Sequence, residues 1–236
     1  MAVRTVVALA LVASFAFAGD PPKGAADKDA KDKVDAIKGA KDDVAKKKAI
    51  ADAGKCPHAS VAAVLGSVVI DTTAAATGLR IDAADALGEM KGLAEAAKAL
   101  ANGVSVNEKN GDVLKAIFRA MGKVGRAEAV PSLKDFASKQ IPFKNAKAPS
   151  DLVVASIDAL VEIKSKASVE ALLVLHNCYA NCDIGDLKVN GLVFEKIQAG
   201  LRTLLPGLPK NLGGEEWIVW WNKNKETFND DLTPKK

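Results

Sequence analysis

Two stretches of this chain are near copies of each other, and their repetition predicts the fold. Residues 92–100 read GLAEAAKAL, and residues 125–133 read GRAEAVPSL, with five of the nine positions identical at an offset of 33. A looser copy, ASVEALL, follows at residues 167–173. Self-similarity at a period of 20–50 residues is typical of proteins built from stacked structural repeats.

The segment before each copy has the apolar spacing of a buried helix. Val113, Ile117, Met121 and Val124 recur at helical intervals, and similar stripes precede the other copies. Short turns containing Gly92 or Gly125, or formed by Ser165 and Lys166, then lead into a second helix. The sequence therefore predicts antiparallel helix pairs with equivalent core residues 34 to 44 positions apart: Ile50, Leu87, Met121, Leu160 and Leu204. We expect each pair to complete its core by stacking on its neighbours.

With these motifs the chain resembles the HEAT-repeat family, and its short bacterial variants in particular, over residues 50–228. The shared features are Ala-Leu-Gly ends of first helices, Gly-x-Ala-Glu-Ala turns and Pro131 early in a second helix. The resemblance implies an all-α, α-α superhelix: a HEAT-like solenoid of four to five pairs whose second helices line a concave face used for protein contacts. The C-terminal stretch EEWIVWWNKNK, residues 215–225, is similar to endings of exported repeat proteins from planctomycete-like bacteria.

The N-terminus has the three parts of a secretory signal peptide. Arg4 precedes an uncharged, largely apolar run over residues 5–18, which closes with Ala-Phe-Ala before Gly19. The run is shorter than the roughly 20 residues that a membrane-spanning helix needs. We therefore expect an exported protein, in the periplasm, on the cell surface or secreted, with no integral membrane segment after signal removal.

The predicted organisation after the signal, residues 1–18, has three parts. Residues 19–48, rich in Lys and Asp, are expected to form a charged tail with a weak first helix from Val34, in which Val34, Ile37, Ala40 and Val44 share a side. The helical repeats then span residues 49–212, and a Trp-rich C-terminal capping helix with a tail spans residues 213–236.

Charge and composition argue against a nucleic-acid partner. The 33 Lys and Arg residues are interleaved with 29 Asp and Glu residues, and aromatic residues make up only 5% of the chain. A nucleic-acid binder normally carries a basic face, often with aromatic stacking residues. We therefore predict no nucleic acid as a ligand.

The two histidines both lie beside cysteines, which makes these five residues the candidates for a metal or haem site. One group is Cys56 with His58, and the other comprises His176, Cys178 and Cys182. Their spacing is a poor match to the usual zinc motifs, and the groups are three repeats apart. In an exported protein, a local Cys178–Cys182 disulfide with Cys56 left buried is the favoured interpretation. Free thiols or a metal or haem site are the alternatives.

The aromatic residues of the C-terminal segment allow two interpretations. Trp217, Trp220, Trp221 and Phe228 fall on one side of a predicted helix from Glu215 to Phe228. They either cover the open end of the last repeat, packing on Ile197, Leu201 and Leu204, or form an aromatic contact surface for a ligand. Capping is the favoured interpretation.

No pattern in the sequence predicts catalysis, and no nucleophile–base constellation, nucleotide-binding loop or metalloprotease motif is present. We therefore predict a non-enzymatic scaffold without a cofactor that binds a protein or peptide partner. The alternative is a small-molecule, metal or haem carrier that uses the Cys/His groups or the C-terminal tryptophans.

Overall fold

A computed structural model of the chain describes residues 23–72, 76–140, 150–181, 187–208 and 214–235. These residues form α-helices joined by short turns, with two 3₁₀ turns at Ala127–Ala129 and Lys225–Thr227, and the fold is all-α as the sequence predicts. Within these ranges there is no β-strand, and one isolated antiparallel β-bridge joins Phe228 and Pro234. The helices are α1 Lys23–Gly39, α2 Asp43–Ala53, α3 Ala59–Ile70, α4 Thr77–Gly88, α5 Ala94–Val106, α6 Gly111–Val124, α7 Val130–Lys139, α8 Ser150–Ile163, α9 Lys166–Asn181, α10 Leu187–Leu204 and α11 Gly214–Asn224.

The helices pack in two rows, because each helix lies beside the second one along the chain. The first-helix row contains α2, α4, α6, α8 and α10, and the second-helix row contains α1, α3, α5, α7, α9 and α11. Helices of one row also contact helices of the other, so that one continuous apolar core lies between the rows. This repeat-like arrangement is consistent with a helical solenoid.

The predicted core positions are confirmed. Ile50, Leu87, Met121 and Leu160 are fully buried, and Leu204 is nearly so, each in a helix of the first-helix row. Because these residues recur once per pair, the core is assembled from equivalent layers, and each layer depends on the next pair for cover.

Contacts between successive first helices explain the Ala-x-Gly motif. A Cβ atom added at Gly54 would lie 3.1 Å from Cα of Ala86, and one added at Gly88 would lie 3.1 Å from Cα of Ala120. Ala86 and Ala120 thus each pack on a glycine of the preceding pair. Because a Cβ atom at Gly54 or Gly88 would be closer to this backbone than most such contacts are, glycine at these two positions favours the close approach of successive first helices.

A left-handed backbone residue connects the two helices of a pair at three places. Gly92 has φ of 75° and Gly125 has φ of 69°, as expected for residues that follow a helix end. The corresponding place after α8 is occupied by Lys164 with φ of 50°, although this conformation is energetically unfavourable for residues with a Cβ atom. The turn after α8 therefore has the same left-handed backbone geometry without a glycine.

The N-terminal segment differs from the predicted tail with a weak helix from Val34. Helix α1 already begins at Lys23, and it ends at Gly39. Asp42 has extended backbone angles and accepts a hydrogen bond from the Ala45 amide, so it caps a new helix, α2. The predicted apolar side is consequently split between two helices: Ile37 is buried, whereas Val44 is 81% exposed.

The predicted signal peptide, residues 1–18, lies outside the described residues, as does Cys182. In the part of the chain that the structure describes, no helix combines the length and the apolar character needed to cross a membrane.

Candidate binding surface

The outer side of the first-helix row is crossed by ion pairs between successive helices. Lys47 on α2 pairs with Asp82 on α4 at 3.4 Å, and Arg119 on α6 pairs with Asp85 on α4 at 2.7 Å. The series continues from helix to helix with the pairs Lys123–Glu89, Lys115–Asp151 and Lys196–Asp158. At least one ion pair therefore joins each two successive helices of this row.

One of these pairs shows how the repeats hold their charges. The Lys115 ammonium group hydrogen-bonds the Asp151 carboxylate, and this contact lowers the pKa of Asp151 below its usual value. Pairs of this exposed kind contribute little to stability individually. Their recurrence at each junction instead gives every two successive helices of the row the same kind of contact.

The opposite, outward side of α3, α5, α7 and α9, which we call the second-helix surface, is built differently. A cleft of about 360 Å³ lies at the surface between α3 and α5, which approach closely at Gly66 and Ala99, and Ser67 and Asn102 also line it. Helix α3 contains no charged residue, so Glu95 and Lys98 of α5, which also line the cleft, have no countercharge across it. The cleft therefore offers small side chains, hydrogen-bonding groups and one charge of each sign.

A second, smaller cleft lies between α5 and α7. It has a volume of about 180 Å³ and is lined by Val104 and Phe136, which are buried, and by Ser105 and Ser132. Lys139 and Glu108 form an ion pair of 3.6 Å among its lining residues. Two successive second helices thus repeat a cleft with a small or apolar lining and hydroxyl groups beside it.

Exposed apolar side chains accompany these clefts. Ile70 and Val106 are the last residues of α3 and α5, and both are more than two-fifths exposed. Val174 of α9 and Val219 of α11 are exposed in the same row of helices, whereas Val44 and Leu192 are the large exposed apolar residues on the described helices of the first row. Single exposed apolar residues are ordinary, but Ile70 lines the α3–α5 cleft and Val106 follows Ser105 of the α5–α7 cleft.

The cysteine and histidine candidates occupy two separate places. His58 caps α3 by accepting the Ser60 amide, and its Nε2 atom lies 3.3 Å from Asp27 of α1. His176 of α9 is buried, and its ring lies 4.6 Å from that of Phe194 and 5.0 Å from that of Trp217. The histidines are thus on different helix pairs with different neighbours, and the structure does not bring them together. Burial lowers the pKa of His176.

The thiols also differ in their surroundings. Cys56 is buried, and its pKa is raised by burial and by a hydrogen bond with Asp29. Cys178 is a free, exposed thiol in the structure. Because Cys182 lies outside the described residues, the Cys178–Cys182 disulfide stays a prediction for non-reducing peptide mapping. Among the described residues, no three His, Cys, Asp or Glu side chains are placed to hold a metal ion together.

The C-terminal aromatic residues are mostly enclosed. Trp217 and Trp221 are buried, whereas Trp220 and Phe228 are half-buried. The Arg202 guanidinium lies 5.7 Å from the centroid of the Trp217 ring. The indole N–H groups of Trp217 and Trp221 have no hydrogen-bond partner among the residues that the structure describes. Such burial favours a packing role over an open aromatic contact surface.

The predicted C-terminal helix is shorter in the structure. Helix α11 ends at Asn224, not at Phe228, and a 3₁₀ turn brings the Phe228 ring back to stack on Trp221 at 6.0 Å. Helix α11 packs chiefly on α9, because it occupies the next place in the second-helix row. Packing of its tryptophans on Ile197, Leu201 and Leu204 of α10 stays a prediction. The segment beyond it returns to α9, where the Asp230 carbonyl accepts a hydrogen bond from the Lys166 amide.

One buried polar group was missed in the sequence. Asn107 is 1% exposed, and its side-chain amide donates to the carbonyl groups of Val69 and Gly103 and accepts from Arg80 at 2.7 Å. Arg80 is itself buried and also donates to Thr77. The network joins α3, α4 and the end of α5. The only signal for it was an arginine within the otherwise apolar core side of α4.

Comparison with known proteins does not assign the chain to a family. No protein-family model matches it, and no curated protein matches it. The function is therefore argued from the surfaces described above.

Proposed function

We propose that this chain is an exported, non-catalytic scaffold of the HEAT-like kind that binds a protein or peptide on its second-helix surface. The observation that carries the proposal is the contrast between the two rows. Charges of the first-helix row are paired from helix to helix, whereas the second-helix surface presents clefts beside exposed apolar residues. A partner gains most where apolar and hydrogen-bonding groups are not already satisfied within the chain.

The character of the clefts favours a peptide or protein segment as the ligand. Serine and asparagine side chains lining the clefts can pair with backbone amides, and the small residues allow a chain to approach closely. The charges that line the α3–α5 cleft are of opposite sign, which does not favour a polyanion such as nucleic acid.

Site-specific photo-crosslinking in the envelope of the producing cell tests the surface. A photoreactive residue at Ser67 lies in the α3–α5 cleft, and one at Ser105 lies in the α5–α7 cleft. The same residue at Val44 is an exposed control on the first-helix row. We expect the same discrete partner to be captured at both cleft positions and not at Val44. Equal capture at all three positions, or capture at Val44 alone, would place the contact elsewhere.

Export is tested independently of binding. The signal-peptide pattern predicts a mature N-terminus at Gly19. N-terminal mass spectrometry of protein recovered from the envelope should show this residue first. Recovery of intact Met1 from the same fraction would contradict export by signal cleavage.

A further inference from the structure

Helix α1 is held by few apolar contacts. Among its described side chains, Ala30 and Ile37 are nearly inaccessible, and Val34 is partly buried. In contrast, α6 buries nine of its fourteen residues. Because packing of an apolar side supplies most of the stability of a helix in a protein, and an isolated charged helix of this length is marginal in water, α1 is held by few apolar contacts.

A gap between α1 and α2 adds to this weak packing. A cleft of about 720 Å³ is lined by Ala36, Gly39 and Ala40 on one side and by Ala45, Lys48 and Ala49 among others on the opposite side. A Cβ atom added at Gly39 would meet nothing within 4 Å. The C-terminal half of α1 therefore touches α2 incompletely.

Polar contacts hold the remaining part of α1 in place. Lys33 pairs with Asp52 of α2 at 2.5 Å, and Asp27 lies 3.3 Å from His58 at the start of α3. The Asp29 carboxylate of α1 is also near enough to the Cys56 thiol, between α2 and α3, to raise the pKa of that thiol. The side chains of Asp27, Asp29 and Asp52 are about half exposed or more, so that salt in the solvent weakens these attractions.

From these contacts we infer that α1 is a detachable lid, which opens by itself while the remaining helices stay folded. Opening uncovers the Cys56 thiol and the sides of α2 and α3 that face α1. The newly exposed side of α3 then extends the second-helix surface. Local opening of a weakly packed terminal element costs less free energy than global unfolding. The inference concerns α1 alone and does not depend on the identity of a partner.

Alkylation of Cys56 measures this opening in the full-length mature chain. Cys178→Ser and Cys182→Ser leave Cys56 as the single thiol, and the uncharged reagent N-ethylmaleimide reports its accessibility. We expect slow alkylation that accelerates severalfold in about 1 M NaCl, where the Debye length is about 3 Å. The dependence of the rate on low urea concentrations should be much shallower than that of global unfolding, because opening α1 exposes little surface.

Two variants test the contacts, with a matched control on the same helix. Ile37→Ala removes the largest buried apolar side chain of α1 and should raise the alkylation rate at least about tenfold. Truncating a buried isoleucine shifts the equilibrium between packed and open α1 by more than a factor of about ten. Lys33→Met keeps the side-chain stem but loses the pair with Asp52, and a severalfold increase is expected. Lys38→Ala, an exposed position of α1, should leave the rate unchanged.

Hydrogen exchange of the unaltered chain gives a second measurement that needs no variant. The amides of α1 should exchange faster than those of α6, with the same response to salt as Cys56. The lid is excluded if Cys56 reacts only with the urea dependence of global unfolding, or if α1 and α6 exchange together. It is also excluded if Cys56 reacts as fast as it does in the urea-unfolded chain, because α1 would then not cover it.

Discussion

Replacing Gly103 by alanine tests whether close helix approach shapes this fold. Gly103 lies within α5, and a Cβ atom there would be 2.7 Å from Cγ1 of Val69 and 3.1 Å from Cδ1 of Ile117. Both neighbours are fully buried. The side chain of Val69 is β-branched and has few rotamers available, so it cannot easily yield.

The expected change in stability is the difference between two effects. Alanine in place of glycine inside a helix contributes about 0.8–1.0 kcal/mol through helix propensity. An extra methyl group in a filled core costs about 1–3 kcal/mol. The free energy of unfolding should therefore fall by about 0–2 kcal/mol in Gly103→Ala.

Gly191→Ala is the matched control. Gly191 lies within α10, and a Cβ atom there meets nothing within 4 Å. This variant keeps the propensity gain of about 1 kcal/mol without the clash, so it should be more stable than the unaltered chain. The two variants should thus differ by about 1–3 kcal/mol.

Urea unfolding followed by circular dichroism measures both variants. A lower midpoint for Gly103→Ala with an unchanged slope would mean that native stability has changed, and not the compactness of the unfolded chain. The packing argument would be refuted if Gly103→Ala were stabilised as much as Gly191→Ala. The contact between α3, α5 and α6 would then be loose enough to accept a methyl group.

Three further predictions concern buried groups. Asn107→Ala removes the hydrogen bonds to Arg80, Val69 and Gly103 and should cost about 2–4 kcal/mol in urea unfolding, whereas Asn102→Ala at an exposed position should change stability by less than about 0.5 kcal/mol. Trp217→Ala and Trp221→Ala should each cost about 3–5 kcal/mol, with blue-shifted native emission; red-shifted emission with unchanged stability would show that the two rings face solvent. Burial lowers the pKa of His176 in the folded chain. The contribution of neutral His176 to the free energy of unfolding is therefore complete above the unfolded pKa of about 6.5, and it declines as the pH falls toward the lower folded pKa. Between pH 7 and 5, the free energy of unfolding of His176→Phe should depend less on pH than that of the unaltered chain. An equal pH dependence of the two would contradict this prediction.

Local pattern alone was sufficient for the helix pairs. Their turns and apolar stripes repeat in the sequence, and each depends on neighbours within about four residues along a helix. For this reason the sequence predicts Leu87, Met121 and Leu160 as core residues, and the structure confirms that they are fully buried. The glycine turns were recognised for the same reason, whereas Lys164 shows that a repeat can keep its geometry without its usual residue.

Features that join distant residues required the tertiary structure. Arg80 and Asn107 are 27 positions apart, and the Cys56–Asp29 contact depends on how α1 packs. The charged segment 19–48 has too weak an apolar pattern to show that α1 packs at all, because its stability comes from contacts with α2 and α3.

The sequence by itself therefore determined the helices, their pairing and the spacing of the core, since these follow from short-range periodicity repeated along the chain. Which charges are paired, which clefts stay open and where the C-terminal aromatic rings lie was decided by the tertiary structure. Each of these depends on the distance between side chains of different helices, and that distance is set by the close contacts of Ala and Gly between successive repeats. A sequence pattern specifies such contacts only after the helices have been placed side by side.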